Sequence, residues 1–196
     1  HGMVDINEKD EITIETLSGI KKLKAYTSGG KVNRLRVDMG KAILEPKEIP
    51  VVLDGDKVVD RPVEIAGKNY NITCVSMGNP HCVVFMDDID NLDIETVGPE
   101  FENDKLFPER VNTEFVTVLD DHTIKMRVWE RGSGETWACG TGACAVAVAA
   151  CENGFCKKGE DIKIKLKGGD LIINYTDETV YMTGNAEKVF EGEVEV

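Results

Sequence analysis

Cys139 stands in the run Trp137-Ala138-Cys139-Gly140-Thr141-Gly142, where a thiol is followed by small, flexible residues at the mouth of an alanine-rich helix. Unpaired backbone N–H groups and the helix dipole favour negative charge at such a position. Free cysteine has a pKa of roughly 8.5, and a helix N-terminus is a setting that lowers it, so the expectation is a thiolate able to act as a base. Gly140 and Gly142 carry no side chains to block a ligand. The same N–H groups could therefore cradle a substrate carboxylate beside the sulfur. The plain alternative is a small hydrophobe opening a buried helix. That alternative is the better reading for Cys144 and Cys151 further along the helix, for Cys74 and Cys82 in strand-like runs, and for Cys156 just beyond the helix.

Polar residues that could converge on the thiol lie in three short stretches. Trp129-Glu130-Arg131-Gly132-Ser133-Gly134 ends a strand in adjacent opposite charges and turns the chain towards Cys139. Glu130 could bind an ammonium group or move protons, and Arg131 could grip a carboxylate with its forked guanidinium. A solvated ion pair is the bland counterpart. Gly78-Asn79-Pro80-His81 reads as an ordinary turn. Its functional reading has Asn79 supplying paired donor and acceptor atoms and His81 tuning proton transfer near neutral pH. Asn112, in Arg110-Val111-Asn112-Thr113, could bind a ligand or simply begin a strand.

The elements that must position these residues are mostly strands. Apolar and polar residues alternate with period two at Ile12 and Ile14, at Leu35, Val37 and Met39, at Tyr70, Ile72 and Cys74, at Ile162, Ile164 and Leu166, and at Leu171 and Ile173, which predicts half-buried strands. Ser28-Gly29-Gly30, Asp54-Gly55-Asp56, Asp120-Asp121-His122 and Gly168-Gly169 supply turns between them, so antiparallel hairpins are expected to dominate. The clearest hairpin runs from Arg110 to Glu130. One segment, Ala138 to Gly154, is a helix apolar all the way round, closed by Asn153-Gly154, and must be enclosed on every side. A second helix is expected over Ile94 to Phe101. The architecture implied is α+β, with antiparallel strands wrapped round a central buried helix.

Composition narrows the function classes. The 196 residues are 41% hydrophobic, enough for an ordinary core. Acidic residues outnumber basic ones 36 to 23, for a net charge of -13, and no basic track interleaved with aromatics offers a path for phosphates, so nucleic acid is excluded as a partner. The longest apolar run, Ala143 to Cys151, is too short to span a bilayer, and no secretory leader is evident, which places the expectation in the cytoplasm with reduced thiols and no disulfides. His1-Gly2-Met3 reads as an expression scar.

Together these stretches resemble diaminopimelate epimerase, an amino-acid epimerase that uses no pyridoxal phosphate. The run Glu130 to Ala145 resembles the family's second signature nearly throughout, Gly78-Asn79-Pro80-His81 and Arg110-Val111-Asn112 follow in the expected order, and the likeness extends from the strand around Ile12 to Val189-Phe190-Glu191-Gly192-Glu193. The resemblance implies two pseudo-symmetric halves, each with strands round a central helix, and an active site between them. It implies that Cys139 is one of two thiols on opposite faces of the substrate α-carbon, assisted by Glu130 and His81. Asn79, Asn112, Glu130 and Arg131 would hold the substrate, and Gly140 and Thr141 would offer N–H groups to its carboxylate. The implied reaction converts LL-diaminopimelate to meso-diaminopimelate, in lysine and peptidoglycan precursor synthesis, with a small amino acid as the only partner besides a possible second copy, and with neither cofactor nor metal.

Two departures qualify that picture. The family's other helix is headed by a Met-Cys-Gly-Asn-Gly-like segment, yet Cys139-Gly140 is the only Cys-Gly pair in this sequence. Residues 1–34 are therefore expected to be the scar plus the tail of a truncated first half-domain, 35–184 the second half-domain, and 185–196 a C-terminal strand returning towards the first. As given, the chain is expected not to epimerise. Phe190 stands where a tyrosine near the family's dimer contact is expected. Competing readings are a proline racemase, against which Glu130-Arg131 and Glu135-Thr136-Trp137-Ala138 argue, and a phenazine-biosynthesis isomerase-like relative, against which a cysteine at the helix head argues. From other classes come a Cys/His metal-binding module, disfavoured by the lack of any Cys-x-x-Cys, and a non-catalytic scaffold domain.

Overall fold

A computed structural model describes residues 10–16 and 19–194. The scar His1-Gly2-Met3 lies outside the described residues.

The strands form where period-two alternation or continuous β-branched runs are bounded by turn residues. In chain order they are β1 (Glu11–Thr16), β2 (Gly19–Ser28), β3 (Lys31–Asp38), β4 (Arg61–Ile65), β5 (Lys68–Ser76), β6 (Pro80–Phe85), β7 (Asn112–Asp120), β8 (Thr123–Glu130), β9 (Gly134–Thr136), β10 (Asp161–Leu166), β11 (Gly169–Tyr175) and β12 (Val180–Asn185). Helix α1 (Ile94–Glu102) lies between β6 and β7, and α2 (Gly140–Glu152) between β9 and β10. All the strands join one sheet in the order β1-β2-β3-β12-β11-β10-β8-β7-β6-β5-β4, with β9 pairing β8 off that path.

Most neighbours are antiparallel, and the hairpins fall where the turn residues stand. Asp121 and His122 close β7 onto β8, and Gly29 and Gly30, both with positive φ, close β2 onto β3. The sheet is nevertheless mixed. β6 runs parallel to β7, and β8 parallel to β10. Each parallel join needs a crossover, and α1 and α2 are the elements that provide it.

β5, β6 and β7 are buried on both faces because the two helices cover opposite sides. Val75, Val83 and Val116 pack in the core around α2, whereas their neighbours Cys74, Val84 and Phe115 pack with Phe101 of α1 in a second core. This is why Cys82 to Phe85 of β6 read as a continuous apolar run, whereas β5, expected to be half-buried from the alternation of Tyr70, Ile72 and Cys74, has Thr73 and Val75 buried on its other face as well. Gly142 to Ala150 of α2 are buried without exception, and the helix packs against β5, β6, β7, β10, β11 and β12. Its C-terminus closes as the Asn153-Gly154 pair predicts: Gly154 takes φ +78° and its N–H reaches the Cys151 carbonyl.

An expectation about the first hairpin differs from what is observed. Only part of the first hairpin is half-buried: Ile12 is partly covered and Leu23 beside it is buried, whereas Ile14 and Ile20 are exposed, no described element covering that end. The boundaries expected at 34/35 and 184/185 fall inside β3 and β12, which pair with each other, so the hydrogen-bonded sheet runs unbroken across both. A C-terminal strand over 185–196 is not formed by the described residues: β12 ends at Asn185, Ala186 makes one further backbone bond to Asn33, and Val189, Phe190 and Val194 stand exposed.

Candidate active site

Cys139 is the N-cap of α2. Its extended backbone (φ -136°, ψ 109°) lets its carbonyl accept the first intrahelical bond from Ala143, while its sulfur accepts from the Gly142 N–H at 3.3 Å. The Thr141 hydroxyl lies 3.5 Å from the same sulfur. Cys139 as a whole is 7% exposed.

That burial reverses the sequence expectation about its charge. Desolvation, followed by the nearby Glu114 carboxylate, pushes the Cys139 thiol up to about 11, and Glu130 adds to this; the Thr141 and Gly142 hydrogen bonds pull the other way and are outweighed. Cys139 thus rests as a thiol rather than a thiolate. The neighbouring glycines also let protein atoms come close. A Cβ on Gly142 would lie 2.6 Å from Glu114 Oε1 and 3.2 Å from Cys139 Sγ, and one on Gly140 would lie 3.1 Å from Met182 Sδ. Gly140 and Thr141 precede the first intrahelical bond, so their N–H groups lie outside the helical ladder.

His81 is fully buried at the start of β6, with Nδ1 2.7 Å from Glu114 Oε1 and Nε2 3.1 Å from Asn79 Oδ1. The Asn79 amide nitrogen donates onward to Thr141 Oγ1 at 3.3 Å. His81 and Asn79 are therefore brought to Cys139 through Thr141. The Gly78-Asn79-Pro80-His81 corner is a turn as well, Gly78 having φ +96°.

Glu130 and Arg131 do not form the solvated pair that was their bland reading. The Thr136 hydroxyl donates to Glu130 Oε1, and Arg131 Nη1 donates to the Glu109 carbonyl at 2.8 Å. Asn112 ties this corner to the corner bearing His81: its Nδ2 donates to the Pro80 carbonyl at 2.9 Å and its Oδ1 accepts from the Arg131 N–H at 2.9 Å. Glu102, from α1, completes the anchorage by accepting from Trp129 Nε1 at 2.7 Å, from the Gly132 N–H at 2.9 Å and from Arg110 at 3.0 Å.

Two of these carboxylates were not among the sequence candidates. Glu114 is fully buried and its pKa is raised, chiefly by desolvation. Its signal in the sequence is a charged residue within the apolar strand that follows Asn112, facing the same side as Asn112 two positions earlier. Glu102 lies on the covered face of α1, where nothing in the local sequence connects it with Trp129. Among the described residues no group of three or more His, Cys, Asp or Glu side chains could hold a metal ion, and no helix is long and apolar enough to cross a membrane.

A family profile described as Diaminopimelate epimerase matches residues 73–189, a span that contains every one of these groups. The diaminopimelate epimerase of Agathobacter rectalis is 50% identical over 97% of this chain and 70% of its own length. The chain belongs to the diaminopimelate epimerase family. That makes it a member of a family of isomerases, and it spans a little over two thirds of the length of such a relative. Among solved structures, a hydroxyproline epimerase from Agrobacterium vitis superposes with a TM-score of 0.68 at 15% identity, covering 94% of this chain and 59% of that one. A PhzF-family phenazine biosynthesis protein from Bacillus anthracis gives 0.62 at 18%, covering 97% and 70%. At such low identity these two show that the diaminopimelate epimerase family shares its fold with both, and nothing about their substrates carries over.

Proposed function

We propose that this chain forms the Cys139 side of an enzyme converting LL-diaminopimelate to meso-diaminopimelate by cofactor-independent proton transfer between two thiols. The observation that carries the reading is the sulfur of Cys139 at the head of α2, accepting from the Gly142 N–H and hydrogen-bonded to the Thr141 hydroxyl, beside amides outside the helical ladder. One thiolate removes the α-proton, forming an S–H bond as the C–H bond breaks and leaving the electron pair shared with the substrate carboxylate. The opposite thiol then gives its own proton to the other face. Protonated at rest, Cys139 is the acid of the resting pair. The N–H groups of Gly140 and Thr141 would stabilise the charge growing on the carboxylate, which matters because no delocalising group shares the carbanion. Asn79, Asn112, Glu130 and Arg131 would hold the amino acid, with Glu130 and His81 assisting the proton transfers.

The opposing thiol would come from the part of the family's length that these residues do not span. Residues 35–184 are read as one half-domain with α2 at its centre, and a second copy of the chain is a possible further partner. In heavy water, a version of full family length should take up deuterium at the α-carbon of diaminopimelate and not of proline, and Cys139→Ser should abolish uptake. The 196-residue chain alone should leave the substrate unchanged. Exchange with proline only, or turnover by the short chain unaffected by Cys139→Ser, would overturn the assignment.

A further inference from the structure

Four hydrogen bonds run from a fully buried carboxyl to the candidate thiol: Glu114 Oε1 to His81 Nδ1 at 2.7 Å, His81 Nε2 to Asn79 Oδ1 at 3.1 Å, Asn79 Nδ2 to Thr141 Oγ1 at 3.3 Å and Thr141 Oγ1 to Cys139 Sγ at 3.5 Å. The chemistry of each atom gives the series a direction. An amide nitrogen only donates, so the Thr141 oxygen accepts from Asn79 and its own hydrogen is free to point at sulfur. An amide oxygen only accepts, so Nε2 of His81 must carry a hydrogen. A neutral imidazole with hydrogen on Nε2 has a bare Nδ1, and Nδ1 faces Glu114. One proton therefore sits between Nδ1 and Oε1, whether it belongs to a carboxylic acid beside a neutral imidazole or to an imidazolium beside a carboxylate.

The surroundings favour keeping that proton. The second oxygen of Glu114, Oε2, is buried without a hydrogen-bond partner, an expensive situation for a free carboxylate. Burial raises the pKa of Glu114 in the same sense. If the proton left, a neutral imidazole would turn its hydrogen to Nδ1 and present a bare Nε2 to the Asn79 oxygen. The amide would then flip, the Thr141 hydroxyl would turn to donate to it, and the sulfur would lose a donor.

We propose that Glu114 is a positioning residue for Cys139: by holding a proton against Nδ1 of His81 it fixes the imidazole tautomer, and through Asn79 it aims the Thr141 hydroxyl at the sulfur. This rests on Cys139 being the reacting thiol, but its test needs no substrate, so a failed exchange assay with diaminopimelate would leave it standing.

Nitrogen-detected NMR of the wild-type chain, with His122→Asn used for assignment, should show hydrogen on Nε2 of His81, and a bare Nε2 would overturn the proposal outright. Iodoacetamide alkylation of Cys139 at one mildly alkaline pH, corrected with Cys139→Ser, reads the other end of the series. Both Glu114→Gln and Glu114→Met remove the carboxyl that raises the Cys139 thiol, so the two are compared with each other: the Gln amide can still donate to Nδ1, whereas Met removes the partner, and Glu114→Met should alkylate about tenfold more slowly than Glu114→Gln, as loss of a hydrogen bond to a charged group does. Thr141→Val should slow alkylation similarly, and the double variant Glu114→Met/Thr141→Val should be no slower than the slower single one, because both cut the same series. Equal rates in Glu114→Met and Glu114→Gln, or multiplicative slowing in the double variant, would overturn it. Should Glu114→Met fail to fold, the NMR result decides.

Discussion

At Cys139 two opposing effects meet, and their sizes decide the outcome. A helix N-terminus stabilises a negative charge by roughly 0.3–1 kcal/mol, up to about 2 in partly buried settings, which is on the order of one pKa unit. Burial can move a pKa by as much as 3–5 units, on the order of several kcal/mol, and here two carboxylates add to it. The helix head thus selects where the sulfur sits and what donates to it, while the surrounding protein sets its charge. Asn112 shows the same dependence on surroundings. Its side chain bridges the start of β6 and the turn after β8, so its amide holds the His81 corner and the Arg131 corner in one frame. Asn112→Ala strands a backbone carbonyl and a backbone N–H. It should lower stability by about 1–3 kcal/mol, read as a reduced urea midpoint at unchanged slope.

Among the elements, α1 controls the active-site turn from behind. Gly98 lies against the indole of Trp129, so that a Cβ there would come within 2.3 Å of the ring. The close approach brings Glu102 within reach of both the indole N–H and the Gly132 amide. Gly98→Ala should push α1 or Trp129 away, costing about 1–3 kcal/mol by overpacking. It should also quench or shift tryptophan emission, since Trp129 loses its environment while the exposed Trp137 does not. A melting curve and emission spectrum like those of wild type would show that α1 has slack to yield. α2 behaves differently: enclosed on all sides, it has no solvent face on which a larger residue could be accommodated.

Over the whole molecule, the enclosure of thiols links stability to alkaline pH. Burial pushes Cys139 up to about 11, Cys144 and Cys151 to about 12, and Cys156 to about 11. For a group whose pKa is raised by folding, the stabilisation is complete below the unfolded value, roughly 8.5 for cysteine, and is lost as pH climbs through the folded value. The urea midpoint, measured with reductant present, should therefore fall between about pH 8.5 and 11. Cys144→Ala, which removes a fully buried thiol, should make the fall shallower. An identical slope would mean that the enclosed thiols do not govern it.

The strands, the hairpin turns and the enclosed helix with Cys139 at its head follow from the sequence alone, because period-two alternation, paired glycines and an all-apolar alanine run are local signals that short-range geometry converts directly into structure. So do the stretches around His81, Asn112 and Glu130, whose residue types mark them regardless of their partners. The parallel joins of β6 with β7 and β8 with β10 do not follow, since nothing within a strand says which neighbour a crossover will deliver. Glu102 and Glu114 were hidden for the same reason: a carboxylate in one element meets its indole or imidazole in another. The charge of Cys139 was settled last, because desolvation and the approach of Glu114 exist only once β7 and α2 have packed together.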